Sequence, residues 1–401
     1  MSLMPRNRRQ KTEDRRQRPS SVLRPPSSGP LVWAEIDLNN LRHNLKTIRR
    51  SLQRSRAEVM AIVKADAYGH GMREIAKTLA REGVSFFGVA NIEEALELRK
   101  ICRTEKILVL GCFHESRAPF YVRSAIRPTL TSEEDVRVFE KYLKRGDHFP
   151  VHVKVDTGMG RLGVWHAEAE KLFQKLSASD KIRVEGIYTH FASADEASGR
   201  SVRDQIYCFR ILKRKILEHG ILPVYWHAAN SLGLVRFPEA HFDLVRPGIL
   251  LYGLNPWRGG RLPMKLKPVL SLKARISFLK KVPQGRSLSY GGTYKAKRET
   301  WVATLPLGYS HGYRVGFSNK GSVLAHGKRC AVVGRVTMDQ TLVDVGPSPT
   351  VRRWDEVTLI GREGAQRISA EELAVLIDTI PYEIVCSLHS RIPRVYKGLR
   401  S

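Results

Sequence analysis

Eight short apolar runs recur between residues 59 and 250, and most of them lead into a stretch of helical periodicity. The runs are VMAIVKAD (59–66), SFFGVAN (85–91), KILVLGC (106–112), SAIRPTL (124–130), VHVKVDTG (151–158), VEGIYTHFA (184–192), VYWHAANS (224–231) and FDLVRPGIL (242–250). Segments such as GMREIAKTLAREG, IEEALELRKIC and RDQIYCFRILKRKILEHG lie between them. No other feature constrains the fold as much. Strands separated by helices return to the sheet in the same direction, so the sheet is parallel. Eight such units predict an α/β fold of the (β/α)8 barrel type. A doubly wound open sheet is the competing arrangement. It carries a glycine-rich phosphate loop after its first strand, and no G-x-G-x-x-G stands there.

The flanks read differently. LVWAEIDL alternates like a strand, and Asn39 or Asn40 is placed to cap a helix whose apolar positions are Leu41, Leu45 and Ile48. After residue 265 the runs VLSLKARISFLKKV, TWVATLPLGY, GSVLAHGKRCAVVGRVTM, TLVDV and EVTLIG are parted by Gly and Pro turns, which predicts a mostly β second domain. One helix, SAEELAVLIDTI, stands near the end, with Ser369 as cap and Glu372 as its capping-box partner.

The net charge is +29. Residues 1–30 hold eight Lys/Arg against two Asp/Glu and little apolar surface, so they read as a disordered basic arm. Its Arg-Arg pairs are not followed by an apolar stretch, so no export signal is expected. Such a charge suits weak, non-specific nucleic-acid binding by the arm, but no recognition motif supports a nucleic-acid partner. No run of 18 apolar residues predicts a membrane span. The five cysteines form no C-x-x-C pair, which argues against a disulfide framework or zinc ribbon and for a reducing, cytoplasmic setting.

Chemistry in a barrel of this kind gathers at the C-terminal ends of its strands. Reading those ends collects Lys64 and Asp66, Asn91, Lys154 and Asp156, His190, His227 with Asn230 and Ser231, and Arg246, followed by Gly248 and Ile249. Each alone has an ordinary reading, such as a strand-end lysine in solvent or a hydrogen-bonded structural histidine. Six strands converging on such groups predict a site instead. No H-E-x-x-H or H-x-x-E-H motif is present, so no metal site is expected. A serine nucleophile would want G-x-S-x-G, and none is expected either. A lysine near a tyrosine, with backbone donors at Gly248 and Ile249 and a hydroxyl at Ser231, suits an aldehyde cofactor that carries a phosphate. Pyridoxal 5'-phosphate fits best, with the lysine forming the Schiff base.

IVKADAYGHG resembles the pyridoxal-phosphate attachment motif of the alanine racemase family. VHVKVDTGMGRLGV, HAANSLGLVRFP, VRPGILLYG, SYGGTY and VGRVTMDQ resemble further blocks of that family and follow in its order. The resemblance covers residues 32–398. It implies a (β/α)8 barrel followed by a mostly β C-terminal domain, a first strand that joins the β domain, and a head-to-tail homodimer with shared active sites. The expected division is therefore a basic arm (1–30), a first strand (31–40), a cofactor-binding barrel (41–264) and a β domain carrying the second catalytic acid/base (265–401). The implied activity is interconversion of L-alanine and D-alanine, which supplies D-alanine for peptidoglycan.

The resemblance also implies roles. Lys64 carries the cofactor as an aldimine and acts as one acid/base, and Tyr290 of SYGGTY is the other, reaching in from the partner subunit. Two groups on opposite faces of a planar carbon can remove a proton from one side and return one to the other. Taken alone, SYGGTY reads as an exposed hairpin. Arg246 faces the pyridine nitrogen and keeps its own proton. His190 bridges Tyr290 and Arg246, and Arg161 steers Tyr290 and the substrate carboxylate. Lys154 occupies a position that the family often carbamylates. Tyr68, Ser231, Gly248 and Ile249 resemble the phosphate cradle, and His227 and Asn230 line the cofactor pocket. Met338 offers its backbone N–H to the substrate carboxylate, with Asp339 supporting its loop. Two positions depart from the pattern: His311 stands where the family commonly has Asp, and Ser390 where many members have a phosphate-touching tyrosine. The loss of that ring leaves a broader-specificity racemase, serine first, as the alternative. A barrel-type decarboxylase and a non-catalytic cofactor carrier are further readings, and neither accounts for SYGGTY.

Overall fold

In the computed structural model, which describes residues 29–400 except His219, strand β1 (Val32–Asp37) precedes the eight apolar runs. Those runs form β2 (Glu58–Ile62), β3 (Phe86–Val89), β4 (Lys106–Val109), β5 (Thr129–Leu130) and β6 (Phe149–Asp156). After a two-residue strand beside β6, β7 (Val164–Trp165), come β8 (Ile182–Tyr188), β9 (Tyr225–His227) and β10 (Leu244–Val245). Neighbours pair in parallel, and β10 returns to pair with β2. Two seams rest on isolated bonds. Leu108 bridges Arg127 ahead of β5, and the N–H groups of Asp243 and Arg246 donate to the carbonyls of Trp226 and Ala229. The sheet is a closed barrel, not an open one. The expected arm lies outside the described residues apart from Gly29 and Pro30, and the chain from Leu31 onward is one unit.

The helix Leu38–Ser51 is capped by Asp37, not by Asn39 or Asn40. The Asp37 carboxylate accepts from the backbone N–H of both asparagines at 2.9 and 3.1 Å. β1 runs straight into the helix, so the last strand residue is the cap. Asn40 turns its amide to the Pro268 carbonyl instead, at 2.8 Å.

The β domain comprises β11 (Leu270–Arg275), β12 (Phe278–Val282), β13 (Ser287–Leu288), β14 (Tyr294–Lys295), β15 (Thr300–Leu305) and β16 (Ser322–Ala325). It continues with β17 (Lys328–Val332), β18 (Thr341–Gly346), β19 (Glu356–Glu363), β20 (Gln366–Ile368) and β21 (Arg394–Lys397). Its main sheet runs β12-β15-β18-β17-β16-β19-β11-β1-β21, with β20 beside β19. β1 is thus a strand of this sheet, antiparallel to β11 and parallel to β21. Ser369 caps the helix Ala370–Leu376 as expected, but the Glu372 carboxylate does not return to the cap. It accepts from both terminal nitrogens of Arg329, at 2.6 and 2.9 Å, a stronger charge-assisted pair than a backbone N–H offers.

One apolar cluster runs through the barrel into the β domain. A second, small cluster of Val282, Leu288, Ala296, Val302 and Val333 lies under the β13–β14 hairpin and anchors its base. Tyr290 sits at the hairpin tip.

Candidate active site

The apolar run that ends in Lys64 stops being a strand at Ile62. Beyond Lys64 the backbone winds the other way: Ala65, Asp66, Ala67 and Tyr68 have φ of 51° to 55°. Four side-chain-bearing residues in this left-handed turn cost about 1–2 kcal/mol each. Surrounding groups hold it. The Glu94 carboxylate accepts from the N–H of Ala65 and Ala90, both at 2.8 Å, and Asp66 accepts from Met72 N–H at 2.7 Å. His70 donates through Nδ1 to the carbonyls of Ala67 and Tyr68. Gly69 (φ +78°) lies against the β domain, where an added Cβ would stand 2.3 Å from the Val385 carbonyl oxygen. The turn therefore sets Lys64 at the barrel mouth.

There a cavity of about 730 Å³ opens. Among the residues anticipated from sequence, Lys64, Tyr68, Lys154, Arg161, His190, Asn230, Ser231, Arg246 and Gly248 all line it. His227 and Ile249 are wholly buried and do not line it. Asn91 is a helix cap that accepts from Glu94 N–H, not a site residue.

Burial and the neighbouring Arg161 lower the Lys64 ammonium below its ordinary value. Lys154 falls further, to about 8, through burial and then through Arg246 and Arg161. Arg246 is fixed from several sides. One terminal nitrogen donates to His227 Nδ1 at 2.9 Å. The other donates to the carbonyls of Thr189 and Ala228, at 2.7 and 2.9 Å, and to His190 Nδ1 at 3.3 Å. Burial lowers Arg246 to about 10, so it stays charged at neutral pH. Burial, then Arg246, keeps both His190 and His227 neutral.

Gly248 completes a small cradle. Its N–H donates to Ser231 Oγ at 3.0 Å, and a Cβ there would lie 2.5 Å from the Tyr68 hydroxyl. Two hydroxyls and a backbone N–H converge, a donor set that fits a phosphate beside a lysine able to bind an aldehyde. Pyridoxal phosphate therefore fits the residues present. Among the described residues no group of three or more His, Cys, Asp or Glu could hold a metal ion.

Two motif spellings prove empty. Gly158, Gly160 and Gly163 spell G-x-G-x-x-G after β6, but the Asp156 carboxylate already accepts the N–H of Gly158, Met159 and Arg161 at 2.8 to 3.1 Å. The loop binds its own anion and so carries Arg161. Gly308–Gly312 spells G-x-S-x-G, yet Ser310 lies on a short turn of the β domain and donates to Asp339 at 2.8 Å. No strand-to-helix elbow presents it. His311 Nδ1 in the same turn accepts Gly308 N–H at 3.4 Å.

Tyr290 and Met338 do not line this chain's own cavity, being 71 % and 54 % exposed. Ser390 is also exposed and off the lining, and Tyr382 and Cys386 from the helix Pro381–Cys386 face the cavity instead. Sequence reasoning missed Tyr382, and it missed Tyr188, whose ring stacks on His227 at 4.7 Å. It also missed His152, though VHVKVD alternation puts His152 on the face of Lys154.

Residues 36–256 match the family model "Alanine racemase, N-terminal domain", and residues 269–396 match "Alanine racemase, C-terminal domain". An alanine racemase of Carboxydothermus hydrogenoformans is 43 % identical over 367 residues, 91 % of this chain and 99 % of that protein. The crystal structure of alanine racemase from Bacillus anthracis with bound L-Ala-P superposes with a TM-score of 0.86 at 36 % identity, over 92 % of this chain and 95 % of that one. The crystal structure of alanine racemase from Bartonella henselae, with covalently bound pyridoxal phosphate, gives 0.82 at 32 % identity, over 92 % and 100 %. This chain belongs to the alanine racemase family.

Proposed function

We propose that this chain interconverts L-alanine and D-alanine as a pyridoxal-phosphate-dependent isomerase. One observation carries the reading: a half-buried lysine with a lowered pKa shares a cavity with a phosphate-fitting cradle and a buried arginine held by both terminal nitrogens. Lys64 would hold the cofactor's aldehyde carbon. Tyr68, Ser231 and the N–H of Gly248 would hold its phosphate, beside His190 and Asn230, and Arg246 would face its ring nitrogen, with His227 and Ile249 packed behind them. Bound there, the cofactor supplies an aldehyde reactive towards amines and a ring that draws electrons from the α-carbon.

The protein's own groups do the rest. A lowered pKa leaves Lys64 Nζ free to accept the α-proton from one face. Tyr290, at an exposed hairpin tip, serves the opposite face in the site of a second copy, so the working unit is a homodimer with shared sites. A proton removed from one side and returned to the other inverts the centre. Arg246 keeps its proton, so it would donate a hydrogen bond to the ring nitrogen of a bound cofactor instead of protonating it. Arg161, with the Met338 N–H of the neighbouring copy, binds the substrate carboxylate. At a pKa of about 8, Lys154 has the neutral amine that attacks carbon dioxide. The N–C bond forms, a proton leaves, and the carbamate anion then pairs with Arg161. D-alanine enters peptidoglycan, whose precursors are made in the cytoplasm, the proposed setting.

Ser390 lies off the cavity and itself brings no ring to it, and this favours some turnover of serine beside alanine. Comparing kcat/KM for L-Ala and L-Ser tests this second reading. The main test is chiral chromatography after incubating the loaded enzyme with L-alanine, with Lys64→Ala as control. D-alanine from the wild type alone supports the function, and none from either overturns it.

A further inference from the structure

Behind the cavity, polar groups cross the barrel interior from strand to strand. Arg246 follows β10, His227 ends β9, His152 lies on β6 and Glu185 on β8. His227 Nε2 is 2.9 Å from His152 Nδ1, and His227 Nδ1 is 2.9 Å from Arg246. His152 Nε2 is wholly buried, with no protein hydrogen bond inside normal limits. Glu185 Oε2 stands 3.5 Å from it. Arg127 braces the same carboxylate, with Nε at 2.8 Å. Gly186, paired with His152 across β8 and β6, leaves the space the ring needs: a Cβ there would lie 2.4 Å from it.

Donor chemistry gives this row one direction. A guanidinium only donates, so His227 Nδ1 accepts. A neutral His227 then carries its hydrogen on Nε2 and donates to His152 Nδ1. His152 in turn carries its hydrogen on Nε2, aimed at Glu185. Burial holds both rings neutral, and the Glu185 carboxylate stays ionised beside Arg127 and His152. Without an acceptor at the end, one buried N–H goes unpaired, or the row reverses and points an N–H at Arg246.

We propose that Glu185 is a positioning residue, the terminal acceptor of a one-way row that holds Arg246 through His152 and His227. That Arg246 faces the cofactor ring rests on the racemase reading, whereas the direction of the row does not.

Nitrogen-15 NMR of the two imidazoles, assigned with single His→Gln variants, tests the direction in the apoprotein and in the loaded enzyme. Both rings are expected in the Nε2–H tautomer in both forms. Glu185→Leu is expected to move the His152 signals and to lower kcat for alanine about tenfold, with KM within about twofold, as losing an outer-shell partner does elsewhere. Glu185→Gln keeps an acceptor but not the charge, and is expected to restore the tautomers and most of kcat. An Nδ1–H tautomer or an imidazolium at either ring overturns the proposal. So does a folded Glu185→Leu with unchanged kcat, or a Gln variant no better than Leu, which would assign Glu185 to its ion pair with Arg127. If Glu185→Leu does not fold, the wild-type tautomers decide. A wild type that makes no D-alanine overturns the proposed function and leaves the tautomer result standing.

Discussion

Arg394 reaches from β21 to the carbonyl oxygen of Gly69 with Nε and one terminal nitrogen, both at 3.0 Å. The same guanidinium donates to the carbonyls of Leu388, His389 and Ile392. The β domain thereby grips the left-handed turn that presents Lys64. Arg394→Ala should lower stability by about 2–4 kcal/mol, read from the urea midpoint, because several buried carbonyls lose a charged donor. Cofactor loading at Lys64 should weaken with it. Unchanged loading at normal stability would mean that the turn holds itself.

The proposed sharing of sites between two copies makes a mixing experiment decisive. Lys64→Ala and Tyr290→Phe should each lose activity, the second by about 10²–10⁴-fold as one acid/base is removed. Tyr290→Phe should leave the melting temperature nearly unchanged, since only one hydroxyl is removed and the ring is kept. Mixed and allowed to exchange, the two variants should recover about a quarter of wild-type activity, because half the dimers then hold one intact site of two. No recovery after verified exchange would place Tyr290 in its own chain's chemistry or in none.

Lys154 gives a pH dependence with a defined sign. Its folded value of about 8 lies below its ordinary 10.5, so the folded chain binds fewer protons between those values. Stability therefore rises with pH across that window. In buffer free of carbon dioxide, Lys154→Met should be more stable than wild type at pH 7 by about 2 kcal/mol, with the gain fading towards the upper end. Denaturant titrations at several pH values check this, and a difference that stays flat with pH would contradict it. Carbon-13 bicarbonate should give a carbamate signal in wild type and none in the variant.

Gly186→Ala should push the His152 ring out of line. The overpacking should cost about 1–3 kcal/mol, and a crystal structure of the variant should show the His152–His227 distance lengthened. An undisturbed ring would show that the strand yields instead.

Alternation of apolar runs and helices made the barrel legible, and turn-rich spacing made the β domain legible. Strand ends were read too long where apolar turn residues follow a strand. Ala65 and Ala67 look like a continuation of β2, and nothing in their chemistry announces a left-handed path. Lys64, Lys154, His190, Ser231 and Arg246 were legible because each follows or ends a strand at the same mouth. Tyr382 was not, because it arrives from a helix in the other domain. His152 carried a signal in its alternation, but its bond to His227 depends on how the closed sheet orders its strands. Asp37 was passed over because it belongs to a strand and a cap at once.

β1 lies between β11 and β21, so its partners come from residues 270–275 and 394–397. As the ribosome makes the chain, the segment VWAEID emerges long before its partners and is among the last to find a place. All eight barrel strands can be synthesised before either neighbour exists. Until then its apolar face has no native cover, a long interval in which chaperones have a reason to attend the nascent polypeptide.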